Sequence, residues 1–268
     1  MRSRRFRLLQ LWPSVRPVSK YHGARNDFIV LDARGRTVDN VRELALRWCD
    51  RHGGIGADGL LLIGTSERAP VSMRVINADG SEAEMCGNGV RCVARYLDER
   101  GEGAQFAVDT AAGIIRTDVI ERGDVYRVRV DMGEPRVISV NASEPQSAIV
   151  DTGNRHLVLF REEIDGFDLW SIGEVTNNDP QYPDGINVHL VEVEGPSTLH
   201  VRHYERGAGL TMACGTGAVA SAVASIVRGD VTSPVLVRVP GGELTIEWDG
   251  SGHAFMTGPA VHVFDTTI

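Results

Sequence analysis

Short apolar runs alternate along the chain with segments of helical periodicity, a pattern typical of an α+β protein. Residues 41–48 carry apolar side chains at i, i+3, i+4 and i+7, which predicts a helix with Asp39 as its N-cap. The same spacing follows Cys86 and Cys214, and the second of these helices is apolar on all sides, which predicts that it is buried. Strands are predicted at Phe28–Leu31, Leu60–Ile63, Ser72–Ile76, Tyr126–Met132, Leu157–Phe160, Ile186–Val193, Leu199–Tyr204, Val235–Val239 and Leu244–Trp248.

The second half of the chain repeats the style of the first. Cys86-Gly87-Asn88-Gly89-Val90 and Cys214-Gly215-Thr216-Gly217-Ala218 each open a predicted helix, which indicates an old duplication. We therefore predict two pseudo-symmetric α+β domains, each a mostly antiparallel sheet wrapped around a central helix, with the changeover near Gly133. The predicted divisions are a disordered basic leader at 1–19, an N-terminal half at 20–132 carrying Cys86, a C-terminal half at 133–258 carrying Cys214, and a tail at 259–268 that returns to the N-terminal half.

Composition and charge narrow the class of protein. The 268 residues are 42% hydrophobic and 24% charged, as in a soluble globular protein, and no apolar run approaches the ~20 residues of a membrane helix. The net charge of −8 argues against nucleic acid as a partner, and we expect neither nucleic acid nor membrane. The first 26 residues carry +7 and the remainder −15. This leader is compatible with organelle import, but a disordered extension is favoured and we expect a cytoplasmic protein.

The four cysteines fall into two groups. Cys49 and Cys92 lie within helical patterns and are interpreted as buried packing residues. Cys86 and Cys214 instead precede glycines that leave the first backbone N–H groups of a helix open, a setting that favours a reactive thiolate beside an anion site. Since the chain shows no export signal and no Cys-x2-Cys pair, we expect neither a structural disulfide nor a zinc site.

Two thiols that face one carbon suit the inversion of a stereocentre. A proton that leaves one face must be replaced from the other face, so one thiolate acts as the base and one thiol as the acid. Burial raises a thiol pKa and a helix N-terminus lowers it, which gives each group access to both states. The amides of Gly87, Asn88, Gly215 and Thr216 are candidates to bind a substrate carboxylate and stabilise enolate-like charge, an effect of ~3–4 kcal/mol per well-placed donor.

Nucleotide-binding motifs are not found in a suitable context. Gly54–Gly59 satisfies G-x-G-x-x-G, but it follows a predicted helix and precedes a predicted strand, which is the wrong order for a dinucleotide fingerprint. The chain has neither a Walker A motif nor a G-x-S-x-G elbow. These motifs give no reason to expect a nucleotide.

The segments around Cys86 and Cys214 resemble the signatures of the diaminopimelate epimerase family. Residues 77–81 read Asn-Ala-Asp-Gly-Ser and, with residues 86–92, resemble the first signature. Residues 204–209 read Tyr-Glu-Arg-Gly-Ala-Gly and, with residues 213–218, resemble the second. His22-Gly23, Asn26-Asp27-Phe28 and Gly54–Gly59 also occur in the family's order, so that the resemblance runs from about Lys20 to the C-terminus.

The resemblance implies a small-molecule amino-acid substrate and cofactor-independent epimerisation of LL-diaminopimelate to meso-diaminopimelate, in lysine and peptidoglycan precursor synthesis. It implies that Cys86 and Cys214 are the acid/base groups, that His156 and Glu205 lie beside them, and that no cofactor or metal takes part; it also suggests a homodimer. Asn26 would hold the reacting amino group, and the helix-start residues the reacting carboxylate. The implied substrate-binding residues are Asn26, Asn77, Gly87, Asn88, Asn154, Asn187, Arg206, Gly215 and Thr216; of these, Asn77, Asn154, Asn187 and Arg206 would hold the distal end.

Three alternatives stay open at this stage. Arg25 and Arg155 add charge near the expected pocket, which is compatible with a racemase for another amino acid such as histidine, proline or a peptide residue. A second alternative is a member of the same fold that binds a small carboxylate without two-base chemistry. A third is a redox sensor, because two facing thiols can oxidise to a disulfide.

Overall fold

The computed structural model describes residues 16–143 and 146–268. These residues form eighteen strands and four α-helices. None of the helices in these two ranges has the length and apolar character needed to cross a bilayer. The predicted fold class is confirmed, because two similar halves each wrap a mostly antiparallel sheet around one central helix.

The N-terminal half contains eight strands and two helices in the described residues. In chain order they are β1 (Pro17–Gly23), β2 (Asn26–Asp32), α1 (Val41–Trp48), β3 (Gly59–Gly64), β4 (Val71–Asn77), β5 (Glu82–Ala83), α2 (Gly87–Asp98), β6 (Gln105–Thr110), β7 (Gly113–Glu121) and β8 (Arg127–Asp131).

The remaining elements are β9 (Arg136–Asn141), β10 (Ser147–Asp151), β11 (Arg155–Phe160), α3 (Leu169–Asn177), β12 (Asn187–Gly195), β13 (Thr198–Glu205), β14 (Gly209–Thr211), α4 (Gly215–Arg228), β15 (Val235–Val239), β16 (Gly242–Glu247), β17 (Phe255–Pro259) and β18 (Val261–Thr267).

The strand pairings demonstrate the internal repeat. In the first half β1–β2 is antiparallel, β2–β3 parallel, β3–β4 antiparallel and β4–β6 parallel, and the series ends in the antiparallel pairs β6–β7 and β7–β8. The second half repeats this series with β10–β11, β11–β12, β12–β13, β13–β15, β15–β16 and β16–β17. Helix α2 therefore corresponds to α4, and α1 to α3.

Two strand pairs join the halves. Strand β17 pairs antiparallel with β8, where Met256 lies opposite Val130. Strand β18 pairs with β1 and so occupies the position beside β1 that β9 occupies beside β10. The last residues of the chain thus complete the sheet of the N-terminal half.

The start of the sheet differs from the prediction for the basic leader. Of residues 1–19, those at 1–15 lie outside the described residues, but β1 already begins at Pro17. The backbone N–H of Arg16 donates to the carbonyl of Ile268 at 2.7 Å. The prediction of disorder is therefore wrong for residues 16–19, because β1 lies between β2 and β18 and hydrogen-bonds to both.

The cap of α1 also differs from the prediction. Asn40, not Asp39, is the N-cap, with a left-handed φ of 53° and no side-chain cap hydrogen bond. Asn is among the few residues that tolerate this backbone conformation, which explains why the helix begins one residue later than predicted.

The two central helices share one hydrophobic core. Val90 and Val93 of α2 belong to the same buried cluster as Val219 and Val223 of α4. Burial of an aliphatic side chain of this size stabilises the fold by about 1.5–3 kcal/mol. The predicted burial of α4 is confirmed, since residues 217–225 are all buried. The core therefore fixes both helices, and with them both cysteines, relative to each other.

Candidate active site

Cys86 and Cys214 occupy equivalent positions at the starts of α2 and α4. Both are N-cap residues with extended backbones, at φ −140° and −118°. Each Sγ accepts a hydrogen bond from the backbone N–H three residues later, Gly89 for Cys86 and Gly217 for Cys214, at 3.3 Å in both cases. The thiols therefore act as helix caps, and a thiolate at either position would be stabilised by the positive end of its helix.

The two helix starts meet. A Cβ placed on Gly215 would lie 3.8 Å from the Cα of Gly87 and 3.1 Å from Cε of Met256. A Cβ on Gly87 would lie 2.8 Å from the same Met256 methyl group. A side chain at Gly87 or Gly215 would press against the Met256 methyl group, and the Gly87 and Gly215 backbones lie close to each other. The first amides of both helices therefore face one small region between the halves.

Asn26 holds the Cys86 side of this region. The Cys86 thiol donates to Oδ1 of Asn26 at 3.6 Å, and Nδ2 of Asn88 donates to the same oxygen at 3.1 Å. Nδ2 of Asn26 donates to Oδ2 of Asp58 at 2.8 Å. Since a carboxylate can only accept, Asp58 fixes the orientation of the Asn26 amide with its oxygen toward Cys86. Arg51 holds Asp58 in turn through an ion pair at 2.7 Å.

Glu205 lies on the Cys214 side, at the end of β13. Burial raises the pKa of the Glu205 carboxyl, and the neighbouring Thr211 hydroxyl and Cys214 thiol offset part of that rise. The Thr216 hydroxyl lies 3.4 Å from Cys214 Sγ. Glu205 is thus a partly desolvated carboxylate beside a thiol, a suitable partner for proton exchange with it.

Both thiols have raised pKa values. Burial raises the pKa of Cys86 to about 11, the Gly89 N–H offsets part of this, and the charge of Glu205 adds to it. Burial and then the charge of Glu205 raise the pKa of Cys214 well above its ordinary value. The charge of Glu205 therefore acts on both thiols. Without a ligand, both groups rest as neutral thiols at pH 7.

The residues expected at the distal end of a substrate are only partly brought together. Oδ1 of Asn187 accepts from the backbone N–H of Arg206 at 3.0 Å, and Arg206 itself donates to the carbonyl of Asp184 at 2.7 Å. Asn154 lies one strand away, at the β10–β11 turn. Asn77 lies in the other half at the end of β4, and its amide donates to Ser81 in its own turn at 2.9 Å.

In the described residues, His156 is hydrogen-bonded to neither the Cys86 nor the Cys214 thiol. Its ring is fully buried, and its hydrogen-bond partners are Oδ1 of Asn154 at 2.9 Å and Nε2 of His189 at 2.8 Å. His189 reaches the start of α4, because a Cβ on Gly217 would overlap its ring. His156 is therefore connected to the Cys214 helix through His189.

Sequence reasoning did not find three polar residues around this site. Arg91 lies inside the helical pattern after Cys86, and His189 and His203 lie inside apolar strands, yet all three are at most 1% exposed. For the histidines a signal was available in the sequence. Asn187 and His189 are two residues apart, as are His203 and Glu205, so that each pair faces one side of its strand. For Arg91 the residue pattern held no comparable signal.

Fold and site together define a class of protein, the pseudo-symmetric two-domain proteins that bring two helix starts to one interdomain site. A phenazine biosynthesis protein of the PhzF family from Bacillus anthracis superimposes with a TM-score of 0.77 at 17% identity, over 96% of this chain and 99% of that one. A probable proline racemase from Agrobacterium radiobacter gives a TM-score of 0.71 at 16% identity, over 94% of this chain and 92% of that one. At these identities the likeness establishes the fold alone.

Comparison of sequences is more specific. The family model for diaminopimelate epimerase matches residues 18–138 and 148–263. A diaminopimelate epimerase from Parabacteroides distasonis is 44% identical over 257 residues, covering 92% of this chain and 96% of the relative. One from Moorella thermoacetica is 44% identical over 268 residues, covering 91% and 96%. The chain belongs to the diaminopimelate epimerase family.

Proposed function

We propose that this protein epimerises LL-diaminopimelate to meso-diaminopimelate without a cofactor, as a step in lysine and peptidoglycan precursor synthesis. The observation that carries the proposal is the meeting of two cysteine-capped helix starts, with a Cβ on Gly215 only 3.8 Å from Gly87 Cα. Family membership supports the choice of substrate, since the relatives that match over nine-tenths of the chain are named for this amino acid.

Binding of the reacting end follows from the open helix starts. The amides of Gly87, Asn88, Gly215 and Thr216 would receive the reacting carboxylate, where two helix dipoles favour negative charge. Asn26 offers its Oδ1 to the reacting ammonium group, as it now does to the Cys86 thiol. A bound ammonium adds positive charge beside the thiols and so lowers the pKa that burial has raised.

Proton transfer then needs one thiolate and one thiol on opposite faces of the α-carbon. Glu205 can accept the Cys214 proton, which makes Cys214 the thiolate and leaves Cys86 as the acid. After inversion the protonation states are exchanged, and the reverse reaction uses Cys86 as the base. The helix-start amides stabilise the enolate-like charge while the α-carbon is planar.

The distal end of the substrate would be held by Arg206 and Asn187, with Asn154 and Asn77 at the sides. Arg206 presents a planar fork that suits a carboxylate, and the asparagines offer both donors and acceptors to an amino-acid end. Because catalysis needs both thiols reduced, we further propose a cytoplasmic location. The homodimer implied by the family resemblance stays a prediction.

The test is exchange of the substrate α-proton with solvent deuterium, measured by mass spectrometry on LL-diaminopimelate in D2O. Cys86→Ala and Cys214→Ala should each abolish epimerisation. Cys49→Ala, which changes a buried packing cysteine outside the site, is the matched control and should retain turnover. Epimerisation at the wild-type rate in either active-site variant would refute the two-thiol mechanism, and turnover of proline or histidine in preference to diaminopimelate would refute the substrate.

A further inference from the structure

Three histidines form a chain of ring-to-ring hydrogen bonds inside the C-terminal half. Nδ1 of His156 lies 2.8 Å from Nε2 of His189, and Nδ1 of His189 lies 2.8 Å from Nδ1 of His203. One end of the chain reaches Oδ1 of Asn154, 2.9 Å from Nε2 of His156. At the other end, the buried Nε2 of His203 has no hydrogen-bond partner in residues 16–143 and 146–268.

Neighbouring strands build this chain. His189 on β12 lies directly opposite His203 on β13, so that both rings face the same side of the sheet. His156 comes from β11, which runs parallel to β12. The chain passes below the first turn of α4, where Gly217 leaves room for the His189 ring. It therefore connects the Cys214 helix start to Asn154.

All three rings are neutral in the working range of pH. Burial lowers the pKa of His156 and of His203 to about 3, and that of His189 well below its ordinary value. A neutral imidazole carries one N–H and one bare nitrogen, so each ring donates once and accepts once. The hydrogen bonds between the three rings can therefore be donated either all toward His156 or all toward His203.

The groups at the two ends of the histidine chain favour hydrogen bonds that all run toward Asn154. Oδ1 of Asn154 can only accept, which places the His156 proton on Nε2. Nδ1 of His156 must then accept from Nε2–H of His189, and Nδ1 of His189 must accept from Nδ1–H of His203. The unpartnered Nε2 of His203 is then a bare nitrogen. The opposite direction would bury an N–H without an acceptor, which folded proteins tolerate less well than an unused acceptor.

We propose that His189 and His203 are positioning residues, which keep the His156 proton on Nε2 and thereby hold the Asn154 amide with its oxygen inward. The NH2 group of Asn154 is then the part of the amide offered to the distal carboxylate of the substrate. The inference rests on the proposed function, in which Asn154 binds the distal end of diaminopimelate. The proposal adds His189 and His203, which do not contact the substrate but determine which group of the Asn154 amide faces it.

The proton positions can be measured without substrate. In NMR spectra of the 15N-histidine-labelled protein at pH 7, His156 and His189 should carry their protons on Nε2 and His203 on Nδ1. A protonated Nδ1 on His156, or a charged imidazolium anywhere in the chain, would overturn the proposal. This measurement stands even if diaminopimelate proves not to be the substrate, whereas wild-type turnover tests the proposed function by itself.

Two substitutions at one position separate positioning from packing. His203→Leu removes the donor to His189, while His203→Asn keeps an N–H group near the position of Nδ1. We expect His203→Leu to raise the KM for LL-diaminopimelate about tenfold with kcat little changed, because a buried hydrogen bond and the amide orientation are lost. His203→Asn should stay within about threefold of the wild-type KM.

His253→Leu is the matched control, since His253 is an exposed histidine that pairs with Asp131 and is not one of the three hydrogen-bonded histidines. It should leave KM and kcat at their wild-type values. Equal increases of KM in His203→Leu and His203→Asn, or a fall in kcat as large as the rise in KM, would assign His203 a packing role and overturn the proposal.

Discussion

The guanidinium of Arg91 on α2 donates to Oδ1 of Asn88 on the same helix at 2.8 Å. The first backbone amides of this helix face the C-terminal half. The whole Arg91 side chain is buried, and its other partners are Pro259 O, Gly87 O and Met256 Sδ. None of these partners carries a charge, so Arg91 is a buried cation without a carboxylate partner in the described residues. Because such a charge is costly to bury, an anion bound at the start of α2 would stabilise it.

Replacement of Arg91 should therefore lower the activity strongly while it changes the free energy of unfolding only slightly. We expect Arg91→Met to lower kcat/KM for LL-diaminopimelate by about 30-fold or more, since it removes positive charge below the carboxylate site and frees the Asn88 amide. The free energy of unfolding should change by less than about 2 kcal/mol, because the substitution also removes an unpaired buried charge. Steady-state kinetics and urea unfolding provide the two measurements.

Arg95→Met is the control on the same helix, because Arg95 pairs with Glu99 near the surface and does not contact Asn88. Arg91→Lys keeps the charge but not the fork, and should fall between the wild type and Arg91→Met. A similar loss of activity in Arg91→Met and Arg95→Met would contradict the role assigned to Arg91.

Asp58 should matter through the orientation of Asn26. In Asp58→Ala the Asn26 amide loses its acceptor and can turn its nitrogen toward Cys86, so we expect kcat/KM to fall about tenfold. Asp58→Asn keeps an oxygen that can accept from Asn26 and should lose less activity. Asp50→Ala is the control, because within the described residues the Asp50 carboxylate accepts hydrogen bonds from the backbone of His52 and Gly53 and from no side chain. Equal activity of Asp58→Ala and wild type would remove Asp58 from the site.

Thiol reactivity should depend on pH in a defined direction. With its pKa raised to about 11, the Cys86 thiol of the ligand-free protein is protonated at pH 7, and its alkylation by iodoacetamide should rise about tenfold per pH unit up to about pH 10. Peptide mass spectrometry of the modified protein measures this rate, with Cys86→Ala as the blank. A plateau below pH 8 would show that the ligand-free protein already holds a thiolate.

The same shift links stability to pH. Cys86 keeps its proton in the folded protein to a higher pH than the ordinary thiol value of 9.0. The stabilisation is therefore fully present below about pH 9, and it is lost as the pH rises toward 11. Urea unfolding should show a smaller decline across this range in Cys86→Ala than in the wild type. Parallel curves for the two proteins would contradict the assignment.

Gly217 should not tolerate a side chain. A Cβ there would overlap the His189 ring, and two hydrogen bonds of 2.8 Å hold that ring in place. We expect Gly217→Ala to destabilise the protein by about 1–3 kcal/mol, as overpacking of a core does. Gly195→Ala is the control, because no atom of the described residues outside the adjacent backbone lies within 4 Å of a Cβ at that position. Thermal unfolding compares them, and equal midpoints would contradict the close packing described.

Residue order alone was enough to predict helices α1, α2 and α4 and the two reactive cysteines. The helices after Cys86 and Cys214 were predictable because their apolar spacing and their opening glycines are local features. Nine of the eighteen strands in the described residues were predicted for the same reason. Strand β9 and helix α3 were not, because β9 is largely exposed and has little apolar contrast, while the periodicity of α3 is weak.

Which residues come into contact depends on the folding of the whole chain. The approach of Gly87 to Gly215, the junction of β8 with β17 and the pairing of β18 with β1 all join positions far apart in the chain. No residue pattern specifies such a partner, since a strand's alternation names its buried face but not its neighbour. Arg91 and the chain of His156, His189 and His203 stayed hidden for that reason. Their chemistry comes from burial and from partners that only the folded chain supplies.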